Sequence, residues 1–173
     1  MYSAYIKNIQ NIFQSYKMLA EKAMVQVEED RLFWVFNNDS NSIAMLVQHM
    51  SGNMLSRFTN FYDEDGEKPW RNRDMEFEHL LTSRRDILDA WNKGWTCFLE
   101  MLNNLQEEDL AKTVLIRGEE HSVMEALNRQ LAHYSYHTGQ IVFLAKMISG
   151  KSWESLSIPK NKSGEFNKSK FGN

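Results

Sequence analysis

The sequence predicts an all-α protein, a four-helix bundle with a small β-hairpin ahead of its last helix. Three observations lead there. Four long stretches repeat their apolar residues at spacings of three and four, the mark of a helix with one buried face. Clusters of Asn, Asp, Ser, Gly and Pro separate them as turns and caps, and only two prolines and eight glycines are available to interrupt helices. The chain of 173 residues is 42% hydrophobic and 12% aromatic. A chain of this length hides roughly 70% of its unfolded surface, so one core can form without cross-links.

Residues 3–27 form the first helix, with Tyr5, Ile9, Ile12, Phe13, Tyr16, Leu19, Ala20 and Ala23 on one face. The segment "EEDRLFWVFNNDSNS" breaks that period. Ser40, Asn41 or Ser42 can then cap the second helix by accepting a hydrogen bond from a free backbone N–H. This helix runs from Ile43 to Phe61 on a stripe of Ile43, Leu46, Val47, Met50, Met54, Phe58 and Phe61. "DEDGEKPWRNRD" (63–74) is a charged loop broken by Gly66 and Pro69. Thr82 or Ser83 caps a third helix that buries Ile87, Leu88, Trp91, Trp95, Phe98, Leu99 and Leu102. In "KTVLIRGEEHSV", Val114 and Ile116 mark a strand, Arg117-Gly118 a turn and His121–Val123 the returning strand. "SVME" (122–125) has the capping-box form, Ser at the N-cap and Glu three residues on. The fourth helix follows to Ile148 and is closed by Ser149-Gly150. Residues 1–158 make one domain, and 159–173 a mobile tail rich in Lys, Ser and Asn, with four lysines against one glutamate over 160–173. Four amphipathic helices joined by loops of varied length describe a bundle.

The net charge of −3 and pI near 6.0 provide no strong basic field, so a sequence-independent grip on nucleic acid is not expected. Cys97 is the single cysteine, so an intrachain disulfide cannot form, which fits a reducing cytosol. "MYSAYIKNIQ" lacks the basic and apolar regions of a signal peptide. The longest apolar runs, Leu32–Phe36 and Ile141–Ala145, fall far short of the roughly 20 residues that span a bilayer. A cytoplasmic protein without a membrane partner is expected.

The chemistry concentrates in "LAHYSYHTGQI" (131–141). Residues at i and i+4 stand one above the other on a helix, so the imidazoles of His133 and His137 can converge on one ion at about 2.0–2.1 Å each. They share a stripe with Ala126, Gln130, Gln140 and Leu144, beside an apolar seam of Leu127, Leu131, Tyr134, Ile141 and Ala145. A buried imidazole needs partners for its nitrogens; a metal and a hydrogen-bond network both satisfy that need. The pattern is not H-E-x-x-H, because residue 134 is Tyr, so a third ligand must come from elsewhere. His49 in "LVQHMSGN", at the edge of the second helix's apolar stripe, is the best candidate. His79, after "EFE", reads as exposed, and His121, on the hairpin, as a surface or hydrogen-bonded residue. Protons compete with metal for imidazole, so binding is expected to weaken as pH falls toward and below about 6.

Asn53, Gln130 and Gln140 could meet bound water or substrate, or make interhelical hydrogen bonds. Glu125 has a capping role, while Glu119 and Glu120 read as solvated. Cys97, among Trp95, Phe98 and Leu99, reads as a buried small hydrophobe. Trp70, Arg71 and Arg73 could close over an anionic substrate or serve packing and capping. A Gly-rich phosphate loop and a Ser–His–Asp arrangement are both missing from the sequence.

A mid-helix His in the second helix, a His-x-x-x-His pair in the fourth and the four-helix order resemble the DinB/YfiT superfamily of metalloenzymes over about residues 3–158. "NSIAMLVQHMSGNM", "GEKPWRNRD", "RGEEHSV" and "LAHYSYHTGQI" are similar to a domain-of-unknown-function branch of it. The resemblance places that family's metal triad on His49, His133 and His137. It implies an up-down-down-up bundle, a homodimer, and zinc or nickel (manganese or iron being alternatives) with water at the open position. Some relatives are S-transferases using bacillithiol, mycothiol or glutathione, others are mycothiol-dependent isomerases, and others resemble a domain of an iron-dependent sulfoxide synthase. Two classes of function follow. One is a metal-dependent enzyme, a small-thiol S-transferase with a small-molecule substrate and with Asn53 and Gln130 as orienting groups. The other is a non-catalytic, metal-stapled helical module for binding or stress response.

Overall fold

The computed structural model describes residues 2–172. It is mostly helical, with α1 (Tyr2–Met24), α2 (Ile43–Phe58), α3 (Arg84–Asn104), α4 (Val123–Ser149) and α5 (Ser163–Phe171). Between α3 and α4 lies one two-stranded antiparallel sheet of β1 (Thr113–Ile116) and β2 (Glu119–Ser122). Helix α2 packs along α3 and α1 along α4, while α2 also touches α4.

Each long helix after the first starts on a serine. Ser42 Oγ accepts from the Met45 amide at 3.2 Å, and Ser83 and Ser122 form reciprocal capping boxes with Asp86 and Glu125. Helix α2 ends three residues earlier than its apolar stripe predicts. Asn60 takes a φ of 48°, a left-handed turn that stops the helix. Phe61 beyond it still tucks back against Phe58, ring centroids 5.3 Å apart. The returning strand is Glu119–Ser122 rather than His121–Val123, because the Ser122 cap has already turned Val123 into helix. Arg117 and Gly118 both have positive φ, 56° and 75°, the two-residue turn that matches strand twist. Helix α5, which the composition of the tail did not predict, buries none of its residues.

The core is centred on Phe98 of α3. Its ring meets Phe13 of α1 at 4.6 Å, Phe58 of α2 at 4.5 Å and Tyr134 of α4 at 5.7 Å. Trp91 and Trp95 continue this cluster and are almost wholly buried. Such aromatic pairs contribute about 0.5–1.5 kcal/mol each beyond the area they hide. Helices α2 and α3 approach closely at Gly94, where a Cβ would lie 2.8 Å from Ser51 Cα; there Ser51 Oγ donates to the Ala90 carbonyl at 2.6 Å. Tyr134 is fully buried and donates to Asn53 Oδ1 at 3.0 Å. That bond sets the rotation of α4 against α2, and it turns the Asn53 NH2 group away from Tyr134.

The 63–74 loop is not loosely solvated. Its Gly66 amide donates to the Leu115 carbonyl at 2.8 Å, and Asp65 accepts from the Arg117 and Gly118 amides at 2.9 and 2.6 Å. The loop and the hairpin turn are thus held together beside the facing parts of α2 and α4. No helix among the described residues is long and apolar enough to cross a membrane.

Candidate metal centre

His49 on α2 and His133 and His137 on α4 bring their ligand nitrogens within 4.8 Å of one another. His133 Nε2 lies 3.2 Å from His49 Nε2 and 3.1 Å from His137 Nε2. His49 and His137 are buried and His133 is half-buried. No fourth His, Cys, Asp or Glu joins this cluster among the described residues.

The tautomers decide what these nitrogens can do. His49 Nδ1 sits 2.8 Å from Glu76 Oε2, His133 Nδ1 3.3 Å from Gln130 Oε1 and His137 Nδ1 2.8 Å from Gln140 Oε1. Each of these oxygens accepts, so each Nδ1 carries the hydrogen. A neutral imidazole has one N–H, so all three Nε2 atoms present bare lone pairs to the same point. They cannot hydrogen-bond to one another without turning a lone pair onto an acceptor oxygen at the far side of a ring. A cation at the centre converts that repulsion into coordination. Two metal–nitrogen bonds of 2.0–2.1 Å at a tetrahedral angle place the nitrogens about 3.3 Å apart, close to the 3.2 and 3.1 Å that separate His133 Nε2 from the other two. The residues present therefore fit a divalent ion, and neutral imidazoles suit zinc, nickel, copper or iron.

One of the three rings is anchored from outside its own helix. Glu76 lies in a 3-10 turn, Asp74–Phe77, and is 7% exposed. Arg71 grips it side-on, Nε to Oε1 at 2.7 Å and Nη2 to Oε2 at 2.9 Å. Burial pushes the Glu76 carboxyl up, but the hydrogen bonds from His49 and Arg71 outweigh burial and hold it below the usual carboxylate range. An ionised Glu76 keeps His49 in the tautomer that frees Nε2, the role that outer carboxylates play at metal centres. The carboxylate reaches this position only because residue 52 is glycine: a Cβ there would lie 2.8 Å from Glu76 Cδ.

Two of the three, His49 and His133, open on a cavity of about 310 Å3. His49, Asn53 and Arg57 line it from α2, one turn apart, and Arg129, Gln130, His133 and Tyr136 line it from α4. Arg71 and Arg73 of the loop and Arg117 of the hairpin turn complete the wall.

Among known families, the one described as "Protein of unknown function (DUF1572)" matches residues 1–162. The chain belongs to this family. No curated protein and no solved structure matches it.

In this DUF1572 chain the residues singled out from sequence divide cleanly. His49, His133 and His137 come together, and Asn53 and Gln130 face the cavity beside them. Gln130 and Gln140 bond to histidines of their own helix rather than across helices. His79 is exposed and His121 lies on β2 outside the cluster. Glu125 caps α4 as expected. Cys97 is half-buried and has Thr59 Oγ1 3.7 Å from its sulfur. Trp70 is 58% exposed, whereas Arg71 beside it is buried on Glu76. Sequence reasoning missed Glu76 and the inward aim of Arg57, Arg117 and Arg129. One signal was available: His49, Asn53 and Arg57 are spaced i, i+4, i+8 and so share a helix face.

The surroundings also move the pH limit set by free histidine. Burial, then repulsion by the other histidines and by Arg71 and Arg57, lowers His133 to about 3. Burial lowers His137 to about 4, against a hydrogen bond to Gln140 that raises it. Both values lie below the unfolded value near 6.5, so below that pH the unfolded chain takes up protons that the folded chain refuses. Stability contributed by these two rings is complete above about pH 6.5 and is lost as pH falls toward 4. The thermal midpoint of the metal-free chain is therefore expected to fall through that window. His137→Gln should flatten the fall; an equal slope in wild type and variant would contradict it.

Proposed function

We propose that this chain is a divalent-metal-dependent enzyme that holds its ion on His49, His133 and His137 and works on a small molecule in the adjoining cavity. The observation that carries this reading is the convergence of three unprotonated Nε2 atoms at the wall of an open cavity. Structural zinc is closed by four protein ligands, whereas catalytic zinc has three and an open position. The three-ligand cluster favours the enzyme over a metal-stapled module. Zinc or nickel is the ion this reading favours, with manganese or iron as alternatives.

An ion so placed supplies Lewis acidity that makes a coordinated water or small thiol nucleophilic near neutral pH. The chain's own part is to fix the three rings through Glu76, Gln130 and Gln140. Asn53, held by Tyr134, offers its NH2 group for orienting the substrate, and Gln130 shares the wall. Within this reading the reaction is S-transfer from a low-molecular-weight thiol, and the fold a DinB/YfiT-like up-down-down-up four-helix bundle that pairs as a homodimer. The order of helices, the place of the three histidines and the half-buried, non-participating Cys97 support it.

The test is to load the protein with each metal and supply glutathione, cysteine or bacillithiol with an electrophile such as monochlorobimane. Rate enhancement that needs His133 and survives Cys97→Ala is the expected result. Enhancement that follows Cys97, or none with any thiol and any metal, would overturn the transferase. Sedimentation of monomer alone at tens of micromolar would remove the dimer.

A further inference from the structure

The cavity wall carries five arginines, Arg57, Arg71, Arg73, Arg117 and Arg129, and not one carboxylate, in a chain whose net charge is −3. Carboxylates do stand behind the wall, but few and shared. Glu76 is engaged by Arg71 and His49. Glu67 serves three guanidinium groups, with Arg117 Nε at 3.1 Å, Arg71 Nη1 at 3.3 Å and Arg57 Nη2 at 3.6 Å. Asp65 is committed to the amides of Glu67, Arg117 and Gly118. Arg73 packs over the Phe77 ring at 5.5 Å, and neither it nor Arg129 has a carboxylate partner among the described residues.

Arg57 adds a buried charge behind this wall. It is 4% exposed, and its Nε and Nη1 are buried without a hydrogen-bond partner. Burying a cation with unpaired donors is costly, and an orphaned buried group calls for an explanation. Like-charged neighbours add to that cost: Arg71, Arg117 and Arg129 each oppose the charge on Arg57. A folded chain concentrates unneutralised guanidinium groups in a concave site when an anion completes it. The volume, about 310 Å3, is at the small end of the ~300–1,000 Å3 range of small-molecule sites. That suits a compact ligand.

We propose that the cavity is a receptor for a small organic anion, whose oxyanion group, phosphoryl or carboxylate, is held by the exposed Arg73 and Arg129 at the mouth of the three-histidine site, with the buried charge of Arg57 behind them. Taken with the metal-dependent reading above, on which it rests for the word substrate, this makes the substrate an anion anchored by its charged end. Planar guanidinium groups match both kinds of oxyanion. Arg71 is not part of the clamp, because both of its edges are occupied by Glu76 and Glu67.

Isothermal titration calorimetry with inorganic phosphate and with malate separates the sources, using EDTA-treated and metal-loaded full-length protein. Saturable binding of one anion per chain is expected with at least one probe, tighter for phosphate if the natural group is a phosphoryl and for malate if it is a carboxylate. Arg73→Gln with Arg129→Gln, both exposed, should weaken that binding at least tenfold, with circular dichroism unchanged and the thermal midpoint no lower than that of the wild type. Binding should also fall as sodium chloride is raised. His133→Ala should abolish metal uptake yet leave anion binding to the EDTA-treated protein intact, which separates the two sites. Anion binding in a wild type that takes up no metal would sink the enzyme and leave the receptor standing. Binding of neither anion in either form, or affinity unaffected by the double substitution, would overturn the receptor.

Discussion

His133→Ala is expected to reduce bound divalent metal from about one ion per chain to less than a tenth of that, the largest single effect that a substitution at this site can have. His133 is the central member: its Nε2 is the atom within 3.2 Å of both other ligand nitrogens. Without it, His49 and His137 form a two-point site with no third ligand among the described residues. Elemental analysis of untagged protein measures the loss directly. The loss has a stability readout too, because ligand present at a hundred times its Kd raises folding stability by about 2.7 kcal/mol. Added zinc or nickel should therefore raise the thermal midpoint of the wild type and leave that of His133→Ala where it was. His79→Ala and His121→Ala should behave as wild type. Full metal retention by His133→Ala would remove the three-histidine centre.

Glu76→Gln should be costly in two separable ways. The amide keeps the shape of the side chain but not its charge: its oxygen can take the place of Oε2 and accept from His49 Nδ1 and Arg71 Nη2, but its NH2 group then stands where Oε1 accepted from Arg71 Nε, donor against donor. Leaving a buried cation without its partner destabilises by about 3–5 kcal/mol, and Glu67, still 3.3 Å from Arg71, should hold the loss to the lower end. Removing an outer carboxylate of this kind costs about 10–100-fold in metal affinity. The pair Arg71→Met with Glu76→Leu distinguishes the two effects, since it removes both charges and keeps the volume. It should recover much of the stability, as apolar replacements of buried ion pairs do, while metal affinity stays low because His49 has lost its acceptor. A Glu76→Gln protein with the thermal midpoint and metal affinity of the wild type would show that Glu76 neither holds the loop nor positions His49.

What could be read from sequence was what repeats or lies close along the chain. The apolar stripes of α1 to α4, the Ser83 and Ser122 caps and the His133–His137 pair are all written within one or two helical turns. His49 was legible because it sits on such a stripe. Glu76 was not: it lies 27 residues from its partner His49, in a 3-10 turn with no period, within a string of charges that reads as solvated. Its trace in α2 is Gly52, an isolated glycine on a helix, which signals a close approach without saying by what. The arginines were hidden for a related reason. Arg57, Arg73, Arg117 and Arg129 come from a helix, a loop, a hairpin turn and another helix, and their convergence belongs to the packing rather than to any local pattern.

The three histidines are not supported alike. His133 and His137 take their acceptors, Gln130 and Gln140, from three residues away on the same helix, so α4 by itself carries two oriented ligands. His49 depends on a loop that must first close, bringing Glu76 onto it and Arg71 onto Glu76. If the centre takes up an ion, an order of assembly is expected: α4 supplies a two-point perch once it is helical, and docking of the 63–77 segment orients His49 as the third ligand. Release runs the same path backwards. Exchange of a bound ion with chelators is therefore expected to follow local opening of that segment rather than global unfolding, at a rate that tracks amide exchange in the loop.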